Sequence, residues 1–128
     1  MSRPLELVMA RQWVALLTTP VLLFDATGSL AFFNEAASVI MGRSFNECGP
    51  LKPAEWHAMF RIEDRTGALV PAGDSMLDQA LSADGARQMT LLLRGLDGQR
   101  RSVGLTTFPI RGLDRSKVGV MAQLEQVG

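Results

Sequence analysis

The stretch from Pro20 to Gly42 constrains the fold more than any other part of the chain, because its breakers allow only one order of elements. Pro20 lacks a backbone N–H and closes whatever helix precedes it. Val21-Leu22-Leu23-Phe24 is a short apolar run, read as a buried strand. Asp25-Ala26-Thr27-Gly28 is a turn in which Gly28 can take positive φ. Ser29 to Phe33 is a second strand, and so short a connection makes the pair an antiparallel hairpin. Asn34 then caps a helix running from Glu35 to Met41, and Gly42 ends it with a left-handed residue. The conspicuous residues of this stretch all have backbone duties.

Upstream, Leu5 to Thr18 contains no Gly and no Pro. Leu5, Val8, Met9, Trp13, Leu16 and Leu17 recur at helical spacing. Leu7, Val14 and Ala15 lie on other sides of the same helix. A helix apolar around most of its circumference needs burial on more than one face. Two arrangements satisfy that need: a helix inside the domain's own core, or one that covers a sheet with one face and meets a second copy with the other. The second is favoured, with Leu5, Val8, Met9, Trp13, Leu16 and Leu17 as the dimer interface. The chain divides accordingly into a helix at 1–18 and a domain at 19–126.

Downstream, Arg43 to Pro53 is read as irregular, broken by Gly49, Pro50 and Pro53. Ala54 to Arg61 is read as a short helix, Asp64 to Gly73 as a loop, and Met76 to Leu81 as a helix capped by Asp74 or Ser75. The remainder reads as three strands, Gln88–Arg94, Arg101–Phe108 and Val118–Gln126, joined by a turn at Leu96–Gln99 and a loop at Pro109–Lys117. Met89, Leu91 and Leu93 share one strand face with Leu92 on the other, and Leu105 opposes Phe108. Apolar side chains on both faces imply a sheet covered on both sides.

Composition narrows the function classes. With 128 residues, 47% of them hydrophobic and 20% charged, the chain fits one self-sufficient α+β domain. Net charge is zero and neither half carries a basic run, so no nucleic-acid partner is expected. No apolar run approaches a membrane span, so no membrane partner is expected either. The single cysteine, Cys48, excludes an intrachain disulfide and suits a reducing compartment. With no signal-peptide pattern at Met1 to Pro4, a soluble cytoplasmic protein is expected.

The order of these motifs resembles the PAS family. The residues that carry the likeness are Pro20 with Val21 to Asp25, then Gly28, Asn34 with Ala36-Ala37, and Gly42-Arg43. Asp97-Gly98, Pro109-Ile110 and Gly119-Val120 resemble the family's later turn, loop and final strand. Gly67 to Pro71, ahead of the helix carrying Asp78 and Ala80, resembles a common subtype. The likeness spans about residues 5 to 126. It implies a five-stranded antiparallel sheet of order 2-1-5-4-3 with short helices across one face, and a sensory or interaction role. The usual Asp-Ile-Thr ending is replaced here by Ala122-Gln123-Leu124-Glu125.

Chemical candidates are few. His57 is the only histidine, and nothing in the spacing pairs it with Cys48 as a nucleophile needs. No enzyme activity and no metal site are therefore expected. The family's light-sensing branch carries its cysteine in Asn-Cys-Arg-Phe-Leu-Gln, a motif absent around Cys48. Its haem branch places a histidine on the helix facing the sheet. His57 is the single candidate there, and a lone histidine beside aromatics is more often a packed residue. The family cavity would be lined by Ile40, Trp56, Met59, Phe60, Met76, Met89, Leu91 and Leu105. An ordinary packed core is favoured there over a cavity for a small apolar ligand, and no cofactor is expected. The implied function is a non-enzymatic signal-sensing module that pairs with itself and with a signalling effector. The alternative is a receptor or carrier for a small apolar ligand.

Overall fold

The hairpin that follows Pro20 forms as its turn chemistry requires. In the structure, a computed structural model describing residues 5–59, 61–64, 66–71, 76–94 and 98–126, β1 (Val21–Asp25) pairs antiparallel with β2 (Leu30–Phe33). Asp25 Oδ1 accepts from the Thr27 N–H at 2.9 Å, the Thr27 hydroxyl at 2.6 Å and the Ser29 N–H at 3.1 Å. Gly28 takes φ 83°, where a Cβ would be strained. Asp64 repeats this chemistry with Thr66 and Ala68, and Asp114 repeats part of it with Ser116. The Thr66 and Ser116 hydrogen bonds hold the Asp64 and Asp114 carboxyls below their ordinary range.

The other elements are α1 (Leu5–Val14), α2 (Glu35–Met41), α3 (Phe45–Cys48), α4 (Pro53–Met59), β3 (Arg61–Glu63), α5 (Met76–Ser82), β4 (Arg87–Arg94), β5 (Arg100–Arg111) and β6 (Lys117–Gln126). All strand pairs are antiparallel, in the order β2-β1-β6-β5-β4-β3. With β3 set aside, this is the expected five-strand order. The sixth strand is a correction to the sequence reading, which ran a helix through Arg61. It carries one apolar contact, Ile62, and is pinned by Glu63, whose buried carboxylate meets Arg94 Nε at 3.4 Å and Arg100 Nη2 at 3.0 Å. Such pairing lies far away in sequence and leaves no local periodicity.

Three further differences have local causes. The first helix ends at Val14, short of Pro20, because its last carbonyls are taken by a side chain described below. Residues Phe45–Cys48 form a helical turn held by a capping box, Ser44 with Glu47. β5 runs through Pro109 to Arg111, where a loop is expected from the sequence. β4 reaches only to Arg87 opposite Thr107, so Pro109 lies where β5 has a neighbour on one side only. A residue without an N–H is tolerated at such an edge.

Two apolar clusters sit on opposite faces of the sheet. The larger lies under α2, α4 and α5 and includes Leu22, Phe24, Trp56, Leu77, Leu91, Leu105 and Leu124. The smaller joins Leu7 and Val14 of α1 to Val21, Leu23 and Met121, with Phe32, Phe108 and Ile110 at its margin. Leu105 and Phe108 thus face opposite ways, and so do the two helical layers. The second face is only partly covered: its far side is a polar groove of Gln88, Thr90, Gly104, Thr106, Gln123 and Glu125. The sheet thus carries cover on both faces, as expected, the outer one in part.

Candidate functional site

The inner face of the sheet holds the residues expected to line a cavity. Trp56 and Leu77 close the void from α4 and α5, with Leu22, Phe24, Leu30, Met41, Ile62, Leu91, Leu93, Val103, Leu105 and Leu124 around it. Its volume is about 30 Å³, roughly room for one water. Pockets for small molecules run about 300–1,000 Å³. The void is about a tenth of the lower end of that range. Of the expected lining residues, Trp56, Leu91 and Leu105 reach the void, whereas Ile40, Met59 and Met89 pack around the same cluster without lining it. Phe60 and the side chain of Met76 lie outside the described residues, as do the expected cap at Asp74 or Ser75 and the Leu96-Asp97 part of the turn. The other nine lining residues, Met41, Ile62 and Val103 among them, are not expected from the sequence, because apolar character alone marks them as core.

Trp56 is fixed by three contacts. Its indole N–H donates to the Gly28 carbonyl at 2.9 Å, its ring meets Phe24 edge-on at 5.5 Å, and His57 stacks on it at 3.8 Å. His57 does not line the void. Its Nδ1 lies 2.6 Å from the Pro53 carbonyl, and its Nε2 lies 2.8 and 3.1 Å from the two Asp78 oxygens. With both ring nitrogens so engaged, neither faces Cys48. That cysteine is half-buried in α3 against the inner core, and burial pushes its thiol up, the nearby Arg43 acting weakly against this. Among the described residues no three His, Cys, Asp or Glu side chains are placed to hold a metal ion.

The outer face is organised by α1 and Asn34. Leu7 and Val14, seven positions apart, turn to the sheet and are buried, contributing roughly 1.5–3 kcal/mol each. Gly119 permits this approach: a Cβ there would fall 2.4 Å from the Phe24 carbonyl oxygen and 3.1 Å from Leu7 Cδ1. Asn34, 1% exposed, is satisfied on every side. Its Oδ1 accepts from the Ala37 and Val21 N–H groups at 3.0 and 3.1 Å. Its Nδ2 donates to the Thr19 and Val14 carbonyls at 2.8 and 3.1 Å. The cap expected from the sequence is present, and the same amide also clamps the end of α1. Arg11 adds a third tether, its guanidinium lying 4.7 Å from the Phe32 ring centroid and 5.3 Å from that of Phe45.

The side of α1 away from the sheet is apolar and open. Leu5, Met9 and Trp13 are 68%, 59% and 63% exposed, and Leu16 in the following turn is 81% exposed. Val8 lies at the border of this stripe. Leu17, expected on the same interface, instead packs toward the sheet with Ala10. The cause is the turn after Val14, where the Leu17 N–H donates to the Val14 carbonyl and the chain leaves helical phase. Among the described residues no helix is long and apolar enough to cross a membrane.

No family sequence model and no curated protein sequence matches the chain. Solved structures match it in shape. The LOV protein of Rhodobacter sphaeroides superposes with a TM-score of 0.74 at 12% identity, covering 96% of this chain and 68% of that one. The PAS domain of an HTR-like protein from Haloarcula marismortui gives 0.63 at 14% identity, covering 94% and 90%. The fungal blue-light photoreceptor Vivid, solved as a light-state dimer, gives 0.61 at 16% identity, covering 84% and 77%. At such identities the likeness concerns the fold, and the fold is that of a PAS domain.

Proposed function

From this PAS fold, we propose that the chain is a non-enzymatic signal-sensing module that pairs with a second copy through the outer face of α1 and the adjoining sheet. The carrying observation is the two-sided character of α1. Leu7 and Val14 are used up on the chain's own sheet, while Leu5, Met9, Trp13 and Leu16 remain exposed as one apolar stripe. Exposed apolar patches of this kind mark interaction sites. Trp13 would be the anchor, since large aromatics dominate such contacts. Vivid, solved as a light-state dimer, supports pairing for a chain of this shape. A signal would act by shifting this contact or by engaging a signalling effector. The small void does not favour the receptor alternative as the domain stands.

Native mass spectrometry tests both points in one experiment. The expected result is a dimer with the bare polypeptide mass, converted to monomer by Trp13→Glu with folding unchanged. A monomeric wild type, or a Trp13→Glu protein that stays dimeric, contradicts the assignment. A reproducible added mass lost on denaturation would favour the small-ligand receptor. Point substitution is preferred to removing 1–18, because Leu7 and Val14 belong to the chain's own core.

A further inference from the structure

The contact between α4 and α5 has a property that apolar packing lacks. His57 Nδ1 faces the Pro53 carbonyl at 2.6 Å, an acceptor only. His57 Nε2 faces the Asp78 carboxyl at 2.8 Å. A neutral imidazole carries one N–H and cannot donate at both nitrogens. Two protons are therefore needed across these two contacts, one toward Pro53 and one between Nε2 and Asp78. Remove one, and a ring lone pair faces an oxygen lone pair on one side or the other.

The neighbours of this pair make it consequential. Trp56 precedes His57 and Leu77 precedes Asp78, and these are the side chains by which α4 and α5 close the inner void. The surrounding charges are engaged elsewhere. Glu55 accepts from the Lys52 N–H, Glu63 meets Arg94 and Arg100, and Asp25 is committed to its turn. From the strands under α5, Lys117 Nζ donates to the Leu81 carbonyl, and Arg111 donates to the Asp84 carbonyl. Among the described residues, Asp78 is the charged group that the His57 ring meets.

We propose that His57 and Asp78 form a protonation-dependent latch between α4 and α5. With the bridging proton in place, the two helices are clasped over the inner face. As pH rises and that proton leaves, the clasp is lost, and Trp56 and Leu77 become free to part. The signal read on this face would then be a proton. The latch is independent of pairing through α1 and survives if that pairing fails.

Imidazole nitrogen NMR on the full chain tests it between about pH 5 and about pH 9, the span in which histidine changes charge. The ring is expected to carry protons on both nitrogens at the low end and to lose one on a single titration. Trp56 indole and Leu77 methyl signals should move with the same midpoint. Asp78→Asn, which removes the anion, should uncouple the Leu77 methyl signals from the ring's loss of its proton. A ring with one proton throughout, Trp56 and Leu77 signals that ignore the titration, or Leu77 signals that still follow it in Asp78→Asn would each overturn the latch. The first two readouts need only the wild-type protein, so a poorly folding variant does not leave the question open.

Discussion

The sheet is covered twice, and the two coverings are held by different chemistry. On the outer face α1 is fixed by Leu7 and Val14 and by the fully satisfied amide of Asn34. None of these groups changes charge in the ordinary pH range. On the inner face α4 and α5 cover a larger core, but the polar contact between them, His57 with Asp78, needs a proton to hold. The outer helix is built to stay in place and present its far side. The inner pair is built so that one proton alters how tightly it closes.

The largest effect should follow from breaking the fixed covering. Asn34→Ala strips the cap from α2 and leaves the buried Val21 N–H and Val14 carbonyl without this partner. Each such loss costs about 1–3 kcal/mol, so a total of about 3–5 kcal/mol is expected by urea denaturation. A cost below about 1 kcal/mol would mean that α1 does not depend on this amide. A smaller effect concerns the inner side. Burial raises the Cys48 thiol, so the thiolate is scarcer at a given pH than in a free cysteine. Alkylation by iodoacetamide near neutral pH should be slower than for an unstructured cysteine peptide and should accelerate as pH rises toward and past the raised value. Equal rates would show that the α3 region does not hold its packing. The smallest effect is in the turns. Asp64 and Asp114 are held low by Thr66 and Ser116, so their contribution is present above the ordinary carboxylate value. It fades only as pH falls through the lowered one, and carboxyl-carbon NMR would follow it.

What the sequence made legible follows the range of the forces involved. The hairpin, the Asn34 cap and the Gly42 stop rest on residues within a few positions of one another, and all are present. β3 was illegible because its support comes from Arg94 and Arg100, distant in the chain. Leu17 turns to the sheet, against its helical spacing, because helical phase ends at Val14, where Asn34 intervenes. His57 was recognisable as a packed residue beside Trp56. Its partner was not, since Asp78 lies 21 positions away on another helix. Which residues edge the small void was not legible, because apolar residue type marks the core without saying how tightly it fills.

Amide hydrogen exchange, compared between α1 and α5 at low and high pH and corrected for intrinsic rates, tests the contrast most directly. The account predicts that protection at Ala80 and Leu81 falls by about tenfold as the His57 proton is lost, the effect of about 1.4 kcal/mol, while that at Ala10 and Val14 stays constant. Parallel loss in both helices, or no change in either, would contradict it.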